Sequence, residues 1–150
     1  MAENPKRRRA TTEPTHFLNV DLELEGRATA IATLTLALDR RLLPLYAGTV
    51  RGRTRAHYEL RRQASTVDAT LRGLLAVLER LTPAERRAWR AARVRDLDVG
   101  LQAGRVPDAS EYAIAAKTLE RLAALGGRLV LTVYAPFPRP GKRLSARGPH

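Results

Sequence analysis

Residues 18–25 read Leu18-Asn19-Val20-Asp21-Leu22-Glu23-Leu24-Glu25. Apolar and polar side chains alternate throughout. Successive side chains of a strand point to opposite faces. The stretch is therefore a period-two strand with one apolar face and one acidic, wet face. Such a strand belongs to a sheet covered on one side only, and Gly26 ends it.

The flanking sequence supplies the cover. Residues 28–39 place Ile31, Leu34 and Leu38 at helical spacing, in a helix that Thr29, Thr33 and Thr35 weaken. Residues 43–47 read as a short apolar strand and Gly48 and Gly52 as a turn. Residues 54–62 alternate again, with Ala56, Tyr58 and Leu60 on one side and Arg55, His57, Glu59 and Arg61 on the other. The two runs predict a hairpin. Asp68 is the expected N-cap of the next helix, whose Leu71, Leu74, Leu75, Leu78 and Leu81 form a core-facing stripe. Thr82, Pro83 and Glu85 supply a cap, a first-turn proline and an acid for a further helix, with Trp89 and Ala92 on its inner side. Leu97, Val99 and Leu101 alternate with Asp96, Asp98 and Gly100 in a strand closed by Gly104. Residues 115–125 predict a helix turned inward by Leu119, Leu122 and Ala123 and ended by Gly126 and Gly127. Residues 128–135 form a last strand, apolar enough to be central or covered.

The order is β-α-β-β-α-α-β-α-β. With the two adjacent helices taken as one, the first six elements match a ferredoxin-like (split βαβ) plan. The expected fold class is α+β: a mixed sheet with helices mainly on one face and an added C-terminal αβ unit.

A chain of 150 residues fits one domain and buries enough surface to need no staple. With no cysteine it has no disulfide framework, thiolate metal site or thiol nucleophile. His16, His57 and His150 stand at no metal-ligand spacing, and the sequence holds neither a nucleophile elbow nor a glycine-rich phosphate cradle. No catalytic residue, metal or cofactor is expected. No apolar run approaches the ~18 residues of a membrane span, so the expected location is cytoplasmic, away from membranes.

Twenty-seven basic residues against 15 acidic give a net charge of +12. Twenty-four of the basic residues are arginine, the better bidentate phosphate ligand. Residues 1–15, with Lys6–Arg9, two prolines and no periodicity, read as a disordered basic arm. Residues 137–150, with Arg139, Lys142, Arg143, Arg147 and no acid, read as a disordered basic tail. The domain between them spans residues 16–136.

Residues 16–27 (HFLNVDLELEGR), 68–89 (DATLRGLLAVLERLTPAERRAW), 95–104 (RDLDVGLQAG) and 119–136 (LERLAALGGRLVLTVYAP) carry a resemblance. Over about residues 16–136 the chain resembles a family of small uncharacterised bacterial proteins classed as a domain of unknown function. The resemblance implies one α+β domain and brings no activity, cofactor or catalytic residue.

Two constellations stand out. If the strands share one sheet, Asp21, Glu23 and Glu25, Arg55, His57, Glu59 and Arg61, and Asp96 and Asp98 meet on its open face. That face is a candidate surface for a protein partner. Its carboxylates also suit a divalent cation or, with His57, acid–base work. The plainer alternative is cross-strand charge pairing on a solvated sheet, at most about 1 kcal/mol per pair. The second constellation is basic: Arg51, Arg53 and Arg55 at the hairpin and Arg86, Arg87 and Arg90 on the helix after Pro83 are candidate phosphate contacts. The acidic face would repel phosphates, so nucleic acid would bind away from it and without sequence reading. The expectation is a non-enzymatic interaction module that binds a protein partner, with non-specific nucleic-acid binding as the alternative.

Overall fold

The structure, a computed structural model, describes residues 13–106 and 109–136. Residues 1–12 of the expected arm and the whole expected tail, 137–150, lie outside the described residues. In chain order the elements are β1 (His16–Gly26), α1 (Ala28–Leu38), β2 (Leu43–Val50), β3 (Arg53–Glu59), α2 (Val67–Glu79), α3 (Pro83–Ala91), β4 (Val94–Gln102), α4 (Ala116–Ala124) and β5 (Arg128–Tyr134). The strands form one mixed sheet in the order β2-β3-β1-β4-β5. Neighbours are antiparallel except β4 and β5, which run parallel. The α+β class is as expected.

Alternation in the strands decides where the core lies. Val20, Leu22 and Leu24 of β1, Ala56 and Tyr58 of β3, and Leu97 and Val99 of β4 are buried in one cluster with residues of all four helices. Leu71, Leu74, Leu75 and Leu78 carry the α2 stripe into it, and Trp89 and Ala92 enter from α3. Each such leucine contributes about 1.5–3 kcal/mol of hydrophobic stabilisation. At the start of α3, the Thr82 hydroxyl accepts from the Glu85 N–H at 3.3 Å and the Glu85 carboxylate accepts from the Thr82 N–H at 2.8 Å. This is the reciprocal cap that Thr82, Pro83 and Glu85 forecast.

Several local expectations are corrected. The N-cap of α2 is Thr66, whose hydroxyl accepts from the Ala69 N–H. Asp68 instead serves α4: its Oδ1 accepts from the Ala115 N–H at 3.0 Å and from the Thr118 hydroxyl at 2.7 Å. Hydrogen bonds from Thr118 and Ala115 hold the Asp68 carboxyl below the usual range. The hairpin turn is not spread over 48–52. Arg51 and Gly52, both at positive φ, form a two-residue connection between Val50 and Arg53, the geometry whose twist suits a tight hairpin. Gly48 lies within β2. Leu18 is 38% exposed, because a register shift between Phe17 and Asn19 turns Phe17 onto the core in its place. Leu119 is exposed at 42%, and α4 buries Thr118 and Leu122. Among the described residues β5 is neither central nor covered: it lies at the sheet's edge, with Leu131 and Val133 about 60% exposed.

The folded unit reaches back past residue 16. The Glu13 carbonyl accepts from the Arg105 N–H, the Thr15 hydroxyl from the Gly104 N–H, and the Thr15 carbonyl from the Tyr112 hydroxyl. Gly104 packs directly on the backbone of residues 13–15, leaving no room for a side chain. Residues 13–15 therefore belong with the domain rather than with the arm.

Candidate functional site: the open face of the sheet

With the helices on one side, the alternate strand positions line the other. The antiparallel registers set Asp21 opposite Asp98, Glu23 between His57 and Asp96, and Glu25 opposite Arg55. Eight of the nine residues of the acidic constellation thus lie on β1, β3 and β4 in one layer, as alternation requires, and Arg61 lies beyond the end of β3.

Their electrostatics divide the face in two. At the hairpin end the charges are paired. Glu25, 7% exposed, accepts from Arg55 Nε at 2.7 Å and from an Arg53 guanidinium nitrogen at 3.1 Å. Burial pushes Glu25 up, but the hydrogen bonds and charges of Arg55 and Arg53 more than reverse this, leaving its carboxyl below the usual range. Asp96, 5% exposed, takes a bidentate contact from Arg128 of β5 at 2.9 and 2.6 Å. Such paired, parallel N–H···O⁻ bonds fix geometry as well as charge.

The centre is different. Among the described residues, Asp21, Glu23, Glu59 and Asp98 take part in no ion pair. Asp21 accepts from Asn19 Nδ2 at 2.7 Å, and both Asp98 oxygens lie 2.8 Å from the Thr132 hydroxyl. Burial, and then the negative charges of Glu59, Glu23 and Asp98, push Asp21 up to about 6, against a smaller lowering by His57. Like charges held together disfavour the ionised form. Among the described residues no group of three or more acids and histidines is placed to hold a metal ion.

Aromatic residues frame this centre. The Tyr46 ring of β2 packs on His57, centroids 5.5 Å apart and tilted by 55°. It lies along the strand over Gly48, where a side chain would meet the Tyr46 hydroxyl at 2.6 Å. On the far side, Gly100 leaves a space that Asn19 and Tyr134 border. Tyr46 and Tyr134 are 44% and 52% exposed. Neither was singled out from sequence. The signal was a glycine two residues after Tyr46 on the same strand face.

The basic constellation is dispersed. Arg51 stands at the turn tip, while Arg53 and Arg55 reach back to Glu25. Arg61 leaves the face altogether and donates to the carbonyls of Leu42 and Asp39. Arg86 donates to the carbonyls of Leu81 and Glu79, at the end of α2. Arg87 and Arg90 are exposed on α3. Where the hairpin tip meets the end of α3, a shallow cleft of about 250 Å³ brings Arg27, Arg53 and Arg93 around Glu25, Gly26 and Gly52. Arg27 and Arg93 were not among the expected contacts, because only the sheet topology brings them to the hairpin. Among the described residues no helix is long and apolar enough to cross a membrane. Comparison with protein families, with curated proteins and with solved structures finds no match to this chain.

Proposed function

We propose that the chain is a non-enzymatic interaction module and that the open face of its sheet takes a basic surface of a protein partner. The reading rests on one observation: four carboxylates without ion-pair partners among the described residues stand on an uncovered sheet, framed by exposed Tyr46 and Tyr134. Tyrosines beside a recessed charged centre are the makings of interface anchors. Asp21, raised by burial and then by its like-charged neighbours, gains from a cation brought against it. The order β2-β3-β1-β4, antiparallel throughout, supports a ferredoxin-like split βαβ unit, to which α4 and β5 are the addition.

Charge reversal tests the reading, because interfacial charges act on association more than on folding. Glu23→Lys with Asp98→Lys is expected to change stability by less than about 1 kcal/mol, as at surface sites. It is expected to abolish capture of a protein that wild type retains from native lysate after nuclease treatment. If the variant folds and captures the same protein, the face is not the contact.

The alternative, phosphate-backbone binding of nucleic acid, is favoured by the cleft of Arg27, Arg53 and Arg93 beside Arg51. It predicts a log–log salt slope of roughly −0.9 per duplex phosphate neutralised. Arg27→Glu with Arg93→Glu would flatten that slope, whereas the acidic-face variant would not. Binding that ignores salt, or that selects one sequence, contradicts the alternative.

A further inference from the structure

The two edges of the sheet are built differently. β2 carries Pro44, which has no N–H to offer, and a register irregularity between Pro44 and Tyr46. Both features hinder a further strand from pairing there. β5 has neither proline nor glycine, pairs without irregularity on β4, and after Arg128 carries no charge. The one charge it has is met by Asp96.

Its outward groups can be assigned. The Tyr134 carbonyl accepts from the Ala103 N–H, so it faces β4. The backbone groups of a strand face its two sides in alternation. Those of Leu129, Leu131 and Val133 therefore turn away from β4, and among the described residues no strand pairs with them. The same three side chains lie on the helix-side face, where Leu131 and Val133 are exposed at 60% and 61%. The neighbouring helix also exposes an aliphatic side chain. Arg121 and Thr118 of α4 reach Glu79 and Asp68 of α2. Leu119 is about 200° round the helix from Arg121; it faces away from α2 and is 42% exposed.

We infer that β5 is the contact strand of a homodimer, in which a second copy of the chain adds its own β5 antiparallel across a two-fold axis at Leu131. The strand is complementary to itself in this register. Leu131 lies opposite Leu131 of the second copy, and Leu129 opposite its Val133. Every outward N–H and C=O of the three residues then finds a partner, and only aliphatic side chains meet on the helix side. A self-complementary patch closed by a two-fold axis is what a symmetric dimer requires. Charge favours the same site: on a chain of net charge +12, two copies approach most easily along a strip whose one charge is neutralised internally. Pairing at β5 would join two sheets edge to edge and leave both acidic faces open, so the inference stands apart from the proposed protein-binding role.

Sedimentation equilibrium of the full chain tests it. Wild type is expected at twice the 16.6 kDa chain mass. Leu131→Lys, at an exposed position, sets two like charges against each other at the axis and is expected to abolish the dimer. Val133→Lys is expected to do the same, whereas Glu23→Lys with Asp98→Lys is expected to leave the dimer intact. In wild type the amides of Leu129, Leu131 and Val133 should exchange slowly with solvent and lose that protection on dilution to monomer. A wild type that stays monomeric over a concentration series, or a dimer that survives both lysine variants, overturns the inference. So does fast exchange at the three amides in concentrated wild type.

Discussion

Asp21 carries the tension of the open face. Its carboxyl is half-buried, accepts one hydrogen bond from Asn19, and is pushed up to about 6 by burial and the carboxylates around it. An acid whose pKa is higher folded than unfolded binds its proton more tightly in the native chain. Its contribution to stability is therefore greatest below the ordinary value of 3.8 and falls as pH rises through about 6. Glu25 acts in the opposite sense. Its lowered pKa adds stability at neutral pH, which is lost as pH falls below the ordinary glutamate range. Asp21→Asn keeps an oxygen acceptor for Asn19 and removes the titration. Its urea midpoint is expected to exceed that of wild type at pH 7 and to converge with it near pH 4, the gap being about 1 kcal/mol or less because solvent screens a carboxyl that is only half-buried. Two midpoint curves that run parallel across this range would show that Asp21 is not crowded by its neighbours.

At the scale of elements, the contact between residues 13–15 and the end of β4 extends the domain. Gly104→Ala places a methyl group against the backbone of Glu13–Thr15. It should cost about 1–3 kcal/mol, the usual range for overpacking, with faster amide exchange at Arg105. An unchanged midpoint would mean that residues 13–15 do not dock. Much of the rest was legible from the sequence, because local pattern carries it. The alternation from Leu18 to Glu25, the α2 leucines and the Thr82 cap are each decided within one element. What escaped was decided between elements. Leu18 is displaced by a register shift against β4, Asp68 caps a helix 47 residues away, and Leu119 is left exposed where α4 turns Thr118 and Arg121 to α2. An apolar run such as residues 128–134 reads alike for a central strand and an edge strand; only the strand order separates them. Alternation alone puts the acidic residues on one face, yet which are paired and which are not depends on Arg53, Arg55 and Arg128 arriving from neighbouring strands.

On the whole molecule, charge and shape are segregated. A chain of net charge +12 gathers Asp21, Glu23, Glu59 and Asp98 on one face that no described element covers, while Arg27, Arg53 and Arg93 meet at the end of the sheet. A basic protein surface and a phosphate backbone would therefore engage different regions, the centre of the open face and its hairpin end. Such separation gives orientation as well as attraction, since a partner drawn to one side is repelled by the other. Carboxylate footprinting reads the occupied side directly. The complex captured from native lysate and the free protein are each labelled with a carbodiimide and an amine, and modification is quantified at every acid. Asp21, Glu23, Glu59 and Asp98 are expected to be protected in the complex, with Glu111 and Glu120, exposed elsewhere, labelled equally in both. Equal labelling of the four face carboxylates in the free and bound protein would contradict the assignment of the open sheet as the partner surface.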